Sequence, residues 1–246
     1  MSDTITLTYQ TRPFLEDTAS GILSECASLF NAVERSLYAE MARGKTTASC
    51  KNSFLKKYRI TARQFNACRV SIEGKVAACQ AGQELAVAIL KQQIESLNKQ
   101  ILQFEKKPSK HSILHQKKRR KGILSTRLVR LENDIKQRRV HLCFGGKKLF
   151  RAQFHLEKNK FSSHQEWKAV WESQRNSEFF VLGSKDETGG NQTCTAKIEP
   201  DGKLTLRLRL PDALIEKYGK YLEIKNVYFK YGSEALLSAL NNPDRQ

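Results

Sequence analysis

The sequence predicts an α+β fold: one small barrel or sheet into which a helical domain is inserted. Three observations predict it. Polar and apolar residues alternate at 4–9, apolar residues recur every three or four positions across most of 17–142, and alternation returns after 179.

In chain order, TITLTY sets Ile5, Leu7 and Tyr9 against threonines, the pattern of a half-buried strand. Asp17 can cap a helix running to about Arg43, with an apolar stripe of Ile22, Cys26, Leu29, Phe30, Val33, Leu37 and Met41; Gly44 ends it. A shorter helix is expected around Asn52–Tyr58. Thr61 reads as the N-cap of a helix over 61–80, with Phe65, Val70, Ile72 and Val76 as core positions.

From Glu84 the spacing tightens into a 4-3 repeat at Val87, Leu90, Ile94, Leu97, Ile101 and Phe104. A second such run follows at Leu124, Leu128, Leu131 and Ile135, and the link between them carries Pro108 and a dense charge block. Neither run is long enough for an extended dimeric coiled coil. An antiparallel helical hairpin over 84–140 with a basic tip explains both runs and the interruption.

After Val140, Gly145-Gly146 opens a segment with Trp167 and Trp171 on a short helix capped by Ser162 or Ser163. Strands are expected at Phe179–Leu182, Thr193–Ile198, Lys203–Leu210 and Leu222–Tyr231, with a turn at Pro200-Asp201-Gly202 and a short helix from Asp212 to Tyr218. The expected domains are a first strand in 1–15, a helical domain over 16–140, a connecting helical segment over 141–178, and the rest of the sheet over 179–246.

Composition narrows the function. The chain has 246 residues, 39% hydrophobic and 28% charged, which excludes collagen-like and low-complexity disordered classes. No apolar run approaches the roughly 20 residues that span a bilayer, and the start lacks an apolar signal core, so no membrane partner and a cytoplasmic location are expected. Lys and Arg number 43 against 25 acids, a formal charge of +18 that points to a polyanion.

That charge is concentrated. Between Glu105 and Arg151 stand 16 basic residues and three acids. At the centre, Lys117, Lys118, Arg119, Arg120 and Lys121 follow one another at what reads as a helix start, where cations oppose the macrodipole by a few tenths of a kcal/mol each. Compensation by phosphates accounts for them; a solvated charge run or a localisation tag is the plainer alternative. A second basic surface comes from alternation, with Leu204, Leu206, Leu208 and Leu210 facing one way and Lys203, Thr205, Arg207 and Arg209 the other, and with Lys197 across the turn. Such a face suits a single nucleic-acid strand, or is an ordinary exposed face.

Catalytic motifs are missing. There is no phosphate-loop, dinucleotide or H-E-x-x-H signature and no serine nucleophile elbow. Asp186 and Glu187 are adjacent, so their side chains diverge and are poorly placed to clamp two metals. Cys26, Cys50, Cys68, Cys79, Cys143 and Cys194 form no C-x-x-C pair, which argues for reduced thiols and against a zinc site. No catalytic residue and no metal ligand is assigned.

Four segments carry a family resemblance: FNAVERSLYAEMARG (30–44), ITARQFNACRVSIEGKV (60–76), CFGGKKLFRAQF (143–154) and FFVLGSKDETGGNQTC (179–194). Over essentially the whole chain they resemble, in order, the N-terminal half of the TnpB-type proteins of bacterial insertion sequences. These are RNA-guided DNA endonucleases related to type V CRISPR effectors. The resemblance implies a wedge-like β-barrel interrupted by a helical recognition domain, together holding a guide RNA and its duplex with target DNA. It also implies a RuvC-like nuclease half with acidic magnesium ligands, which should begin where this chain stops, so no cofactor is expected in this chain itself. A separate nuclease half or a second copy of the chain are the further partners it allows, with association to the bacterial nucleoid when DNA is bound.

By the same resemblance Lys147, Lys148 and Arg151 of GGKKLFR, and Lys185, Asn191 and Gln192 of GSKDETGGNQ, are expected to contact the guide RNA. Gly145-Gly146 and Gly189-Gly190 would let the backbone approach a phosphate closely. Arg63, Gln64, Asn66 and Arg69 would touch the duplex, or are merely exposed. Alternatives are a free-standing DNA-binding repressor, a complete small metal-dependent transposase or nuclease using Asp186 and Glu187, and a structural helical-hairpin adaptor, which leaves the basic tip unexplained.

Overall fold

The computed structural model describes residues 8–106, 111–183 and 191–241, and its architecture is mixed α+β. The chain divides into two compact units: the described residues up to Ser71 with those from Phe144 onward, and Ile72–Cys143.

In the first unit, helix α1 (Asp17–Ala42) buries Ile22, Cys26, Phe30, Val33 and Leu37, the expected stripe. Its N-cap is Glu16, and Gly44 at φ +85° stands two residues beyond its end. Helix α2 (Thr47–Tyr58) starts five residues earlier than expected because Thr46 Oγ1 accepts from Ser49 N (3.3 Å) and caps it. Helix α3 (Ala62–Glu105) opens on a reciprocal capping box: Gln64 N donates to Thr61 Oγ1 (3.2 Å) and Thr61 N to Gln64 Oε1 (3.0 Å). Phe65 and Ile72 are buried, but Val70 is 36% exposed: the buried stripe runs Phe65, Cys68, Ile72, and Val70 falls off that face.

The sheet has three antiparallel strands in the order β1 (Cys194–Ile198), β2 (Leu204–Arg209), β3 (Tyr221–Val227). It is open, so the expected closed barrel is not what these strands form. Leu204, Leu208 and Leu210 are buried on one face; Thr205, on the other, is buried as well. The expected strand at Phe179–Leu182 joins no ladder. Its apolar side chains pack on α1 instead: Phe179 stacks on Phe30 (5.5 Å), and buried Asn31 Nδ2 donates to the carbonyl of Glu178 (2.6 Å).

β3 stops at Val227 rather than Tyr231, and carries a bulge just before that end. Leu204 pairs with Val227 but Leu206 with Ile224, and Asn226 takes φ +59° to absorb the extra residue. Beyond it the Tyr228 carbonyl accepts from the Thr11 hydroxyl, and Tyr9 meets Phe229 edge-on (6.5 Å). Gly232 (φ +72°) leaves room for Tyr9, since a Cβ there would lie 2.6 Å from the ring. The first strand expected at 4–9 lies mostly outside the described residues, and Thr8–Glu16 joins no sheet. An unexpected helix α8 (Ser233–Asn241) follows.

Between Phe144 and Arg175 two helices, α5 (Lys147–Ala152) and α6 (His164–Arg175, capped by Ser163), pack through tryptophans. Trp167 stacks on Trp171 (5.4 Å, 10°) and donates from Nε1 to the Leu149 carbonyl (2.7 Å), and Trp171 Nε1 donates to the Phe144 carbonyl (3.1 Å).

Helix α7 (Ile215–Tyr218) is tied to α1 by Glu25, which accepts from Lys217 Nζ and from the Tyr218 hydroxyl, both at 2.7 Å. These bonds hold the Glu25 carboxyl below its ordinary range. A depressed folded pKa stabilises above the unfolded value of about 4.3 and is lost as pH falls through the folded one. Glu25→Gln is therefore expected to shrink the fall in melting temperature between pH 7 and pH 3, measured by circular dichroism.

The second unit contains the predicted hairpin, formed by residues 72–105 of α3 and by α4 (His111–Lys136). Its antiparallel register is read from cross-links: Gln83 to the Arg139 carbonyl (3.0 Å), Lys91 to Glu132 (2.9 Å), Lys117 to Gln100 (2.6 Å) and Lys118 to Glu105 (2.7 Å). Besides Ile72 at the unit's edge, Leu90, Leu97 and Ile101 are its buried apolar side chains. The break expected after residue 80 is absent, because Gly82 costs a helix only about 1 kcal/mol and no proline accompanies it. Nothing lies within 4 Å of where its Cβ would be, so Gly82→Ala is expected to stabilise this unit by about 0.5–1 kcal/mol, read in a urea titration.

Candidate nucleic-acid interface

The polar face of the sheet and the first turn of α3 enclose a groove of about 700 Å³ within the first unit. Strand pairing builds it: Arg207 stands opposite Thr195 and Arg209 opposite Tyr221, so alternation directs all four to one face. Arg63 and Asn66 of α3, Gln192 and Thr193 before β1, and Lys220 complete the lining with Thr61 and Ala62. Four cations, two amides, three threonines and one aromatic ring meet there; among the described residues no carboxylate is in the lining, although Glu223 stands opposite Arg207 in the ladder and Asp212 pairs with Arg209.

The Arg207 guanidinium lies 3.8 Å from the Tyr221 ring centroid, a stacked cation–π pair, and Lys220 Nζ is 5.5 Å from the same ring. Arg209 is anchored by Asp212 (3.0 Å), while its buried Nε has no hydrogen-bond partner among the described residues. The N-terminal end of α3 faces the groove through Thr61–Arg63, and the macrodipole adds positive potential. The arrangement suits a phosphate-bearing ligand.

Of the residues expected from sequence, the groove brings together Arg63, Asn66, Gln192, Arg207 and Arg209. Gln64 is 2% exposed, and besides capping α3 it donates to the Arg209 carbonyl (3.3 Å), so it holds the two elements together. Arg69 does not line the groove, and Lys203 pairs with Asp201 (3.0 Å) in the turn before β2. Asn191 Oδ1 accepts from Thr193 N (2.9 Å) and Cys194 N (3.2 Å), which starts β1. Lys185, with Asp186, Glu187 and Gly189-Gly190, lies outside the described residues.

Lys147, Lys148 and Arg151 are exposed on α5 while Ala152 is buried. The preceding Gly145 (φ +82°) has a role within the protein: a Cβ would stand 2.9 Å from Trp171 Nε1. Lys220 and Tyr221 were not expected. Their signal is cross-strand register, which places Tyr221 beside Arg209 and is invisible when the strand is started at Leu222.

In the second unit α4 begins at His111, so the basic block lies beyond the first turn rather than at a helix start, where the macrodipole penalty has faded. Five consecutive residues also wrap around the helix. Lys117 reaches Gln100 and sits 5.3 Å from the Phe104 ring centroid, and Lys118 pairs with Glu105. Arg119, Arg120, Arg127 and Arg130 are exposed; Arg120 lies at the edge of the groove between the hairpin helices, beside Lys117 and Leu124.

All six cysteines are free, and burial pushes the Cys26 thiol up to about 11. Among the described residues no three of His, Cys, Asp and Glu come together as a metal-ion group, and no helix is long and apolar enough to cross a membrane. No protein-family model matches the chain, and neither a curated protein nor a solved structure matches it.

Proposed function

We propose that this chain is the guide-RNA- and DNA-binding lobe of a TnpB-like RNA-guided protein, and that its own residues bind and position nucleic acid rather than cut it. The observation that carries the reading is the groove on the sheet, where Arg63, Arg207, Arg209 and Lys220 converge with amides, hydroxyls and Tyr221. Gathering four cations on one face costs self-repulsion, which a polyanion repays through counterion release.

In this reading the open three-stranded sheet takes the place of the family's wedge domain, and the hairpin is the recognition domain whose α4 cations follow a duplex backbone. Sequence choice is left to base pairing, and the protein reads A-form geometry through phosphates and 2′-hydroxyls. The magnesium-dependent cleavage of the family needs a carboxylate cluster. The described residues hold none, so no step is assigned to it.

The test is binding of double-stranded DNA by the purified full chain before and after RNase treatment. Loss of DNA binding after RNase, restored by adding back the extracted RNA, is the expected result. Tight DNA binding that survives RNase would establish a free-standing repressor instead.

A further inference from the structure

Tyr221 is 38% exposed, yet it sits in the wall of the groove with the Arg207 guanidinium stacked upon it at 3.8 Å. Arg207 is exposed, so the stack presents a guanidinium plane to the groove. Nucleic-acid bases stack on such planes as readily as on aromatic rings, but only when unpaired, because in a duplex their faces are covered by neighbouring bases. Around the stack stand Lys220 and Arg209 for a phosphate, and Thr195 and Gln192 for hydroxyl contacts. The volume lies within the roughly 300–1,000 Å³ of sites that enclose a small ligand.

We propose that the groove is a pocket for one unpaired nucleotide of an RNA strand, with its base on the Arg207–Tyr221 stack, its phosphate between Arg209 and Lys220, and its 2′-hydroxyl among the threonine and amide groups. The proposal rests on the nucleic-acid-binding reading of this groove and narrows it from a polyanion surface to a single-nucleotide site. A bulge, loop or end of the RNA supplies the occupant; a continuous duplex does not fit, since its bases cannot reach the stack.

The experiment uses the full chain and a short single-stranded RNA carrying one 2-aminopurine, whose fluorescence is quenched when the base stacks. Wild type is expected to bind and quench. Arg207→Gln and Tyr221→Leu are each expected to abolish quenching and weaken binding about tenfold or more, as loss of one stacked base does. Lys158→Gln, which does not line the groove, is the matched charge control and should change nothing. Circular dichroism melting monitors folding, and exposed Arg207→Gln carries the test if Tyr221→Leu unfolds.

Unchanged quenching in Arg207→Gln with intact strand binding overturns the pocket and leaves the RNA-binding lobe standing. No binding of any RNA by wild type defeats both readings. Equal affinity for the DNA strand of the same sequence overturns the assignment to RNA, and displacement of the strand by equimolar adenosine 5′-monophosphate would make this a free-nucleotide site instead.

Discussion

Replacing Arg207 and Lys220 together by glutamate is expected to weaken RNA binding by tenfold to a hundredfold at about 0.15 M salt. The lost Lys220 phosphate contact lowers the slope of log K against log salt by about 0.7 for single strands, or roughly fourfold at that salt, and loss of the base stack on Arg207 brings the total to about tenfold or more. Reversal adds repulsion where attraction stood, which accounts for the upper figure. Both side chains are exposed, so the fold should survive. Filter binding from 50 to 400 mM salt reads affinity and slope together. The same reversal at Arg119 and Arg120 should also flatten the slope, whereas reversal at Lys117 or Lys118 would chiefly disturb cross-hairpin contacts with Gln100 and Glu105. A structural adaptor would show neither change in slope.

Trp167→Ala is expected to cost about 3–5 kcal/mol, the range for deleting a buried aromatic side chain. Trp167 is 3% exposed, lies against Trp171 at 5.4 Å and His164 at 4.8 Å, and joins α6 to α5 through its bond to the Leu149 carbonyl. In a unit of this size each kcal/mol moves the melting temperature by about 2–4 °C, so a fall on the order of 10 °C should appear by circular dichroism. Trp167→Phe keeps most of the apolar contact and loses the hydrogen bond, for about 1 kcal/mol. A fall of less than about 3 °C in the alanine variant would mean that α5 and α6 are not held by this stack.

Helical periodicity was legible wherever one face of a helix is buried against a neighbour. The stripe of α1, the Thr61 cap and both 4-3 runs could be read because spacing and capping are local properties of the chain. The apolar run at 179–182 was not, because its partner is the side of α1 near Phe30, and periodicity does not distinguish a strand from an extended segment packed on a helix. The residues themselves left barrel or sheet open and the barrel came from the family resemblance, whereas the bulge at Asn226 and the coil from Thr8 to Glu16 depend on which backbone groups find partners.

The candidate site divides the same way. Arg207 and Arg209 follow from alternation along one strand, and Arg63 and Asn66 from the first turn of a capped helix. That these meet across about 140 residues of sequence depends on the bond from Gln64 to the Arg209 carbonyl, and that Tyr221 joins them is a matter of strand register. Conversely, Gln64 and Asn191 looked available by composition and are used by the backbone, the ordinary fate of amides beside a helix start or a strand start.

The central claim is that the chain carries a specific RNA. Its most direct test is to express the chain with its native flanking DNA, purify it at moderate salt and sequence the RNA that accompanies it. A discrete RNA species from the flanking locus, retained through a wash at higher salt, is the result this account predicts. Protein free of RNA, or a random sample of cellular RNA that the wash removes, would contradict it and leave only a generic basic surface.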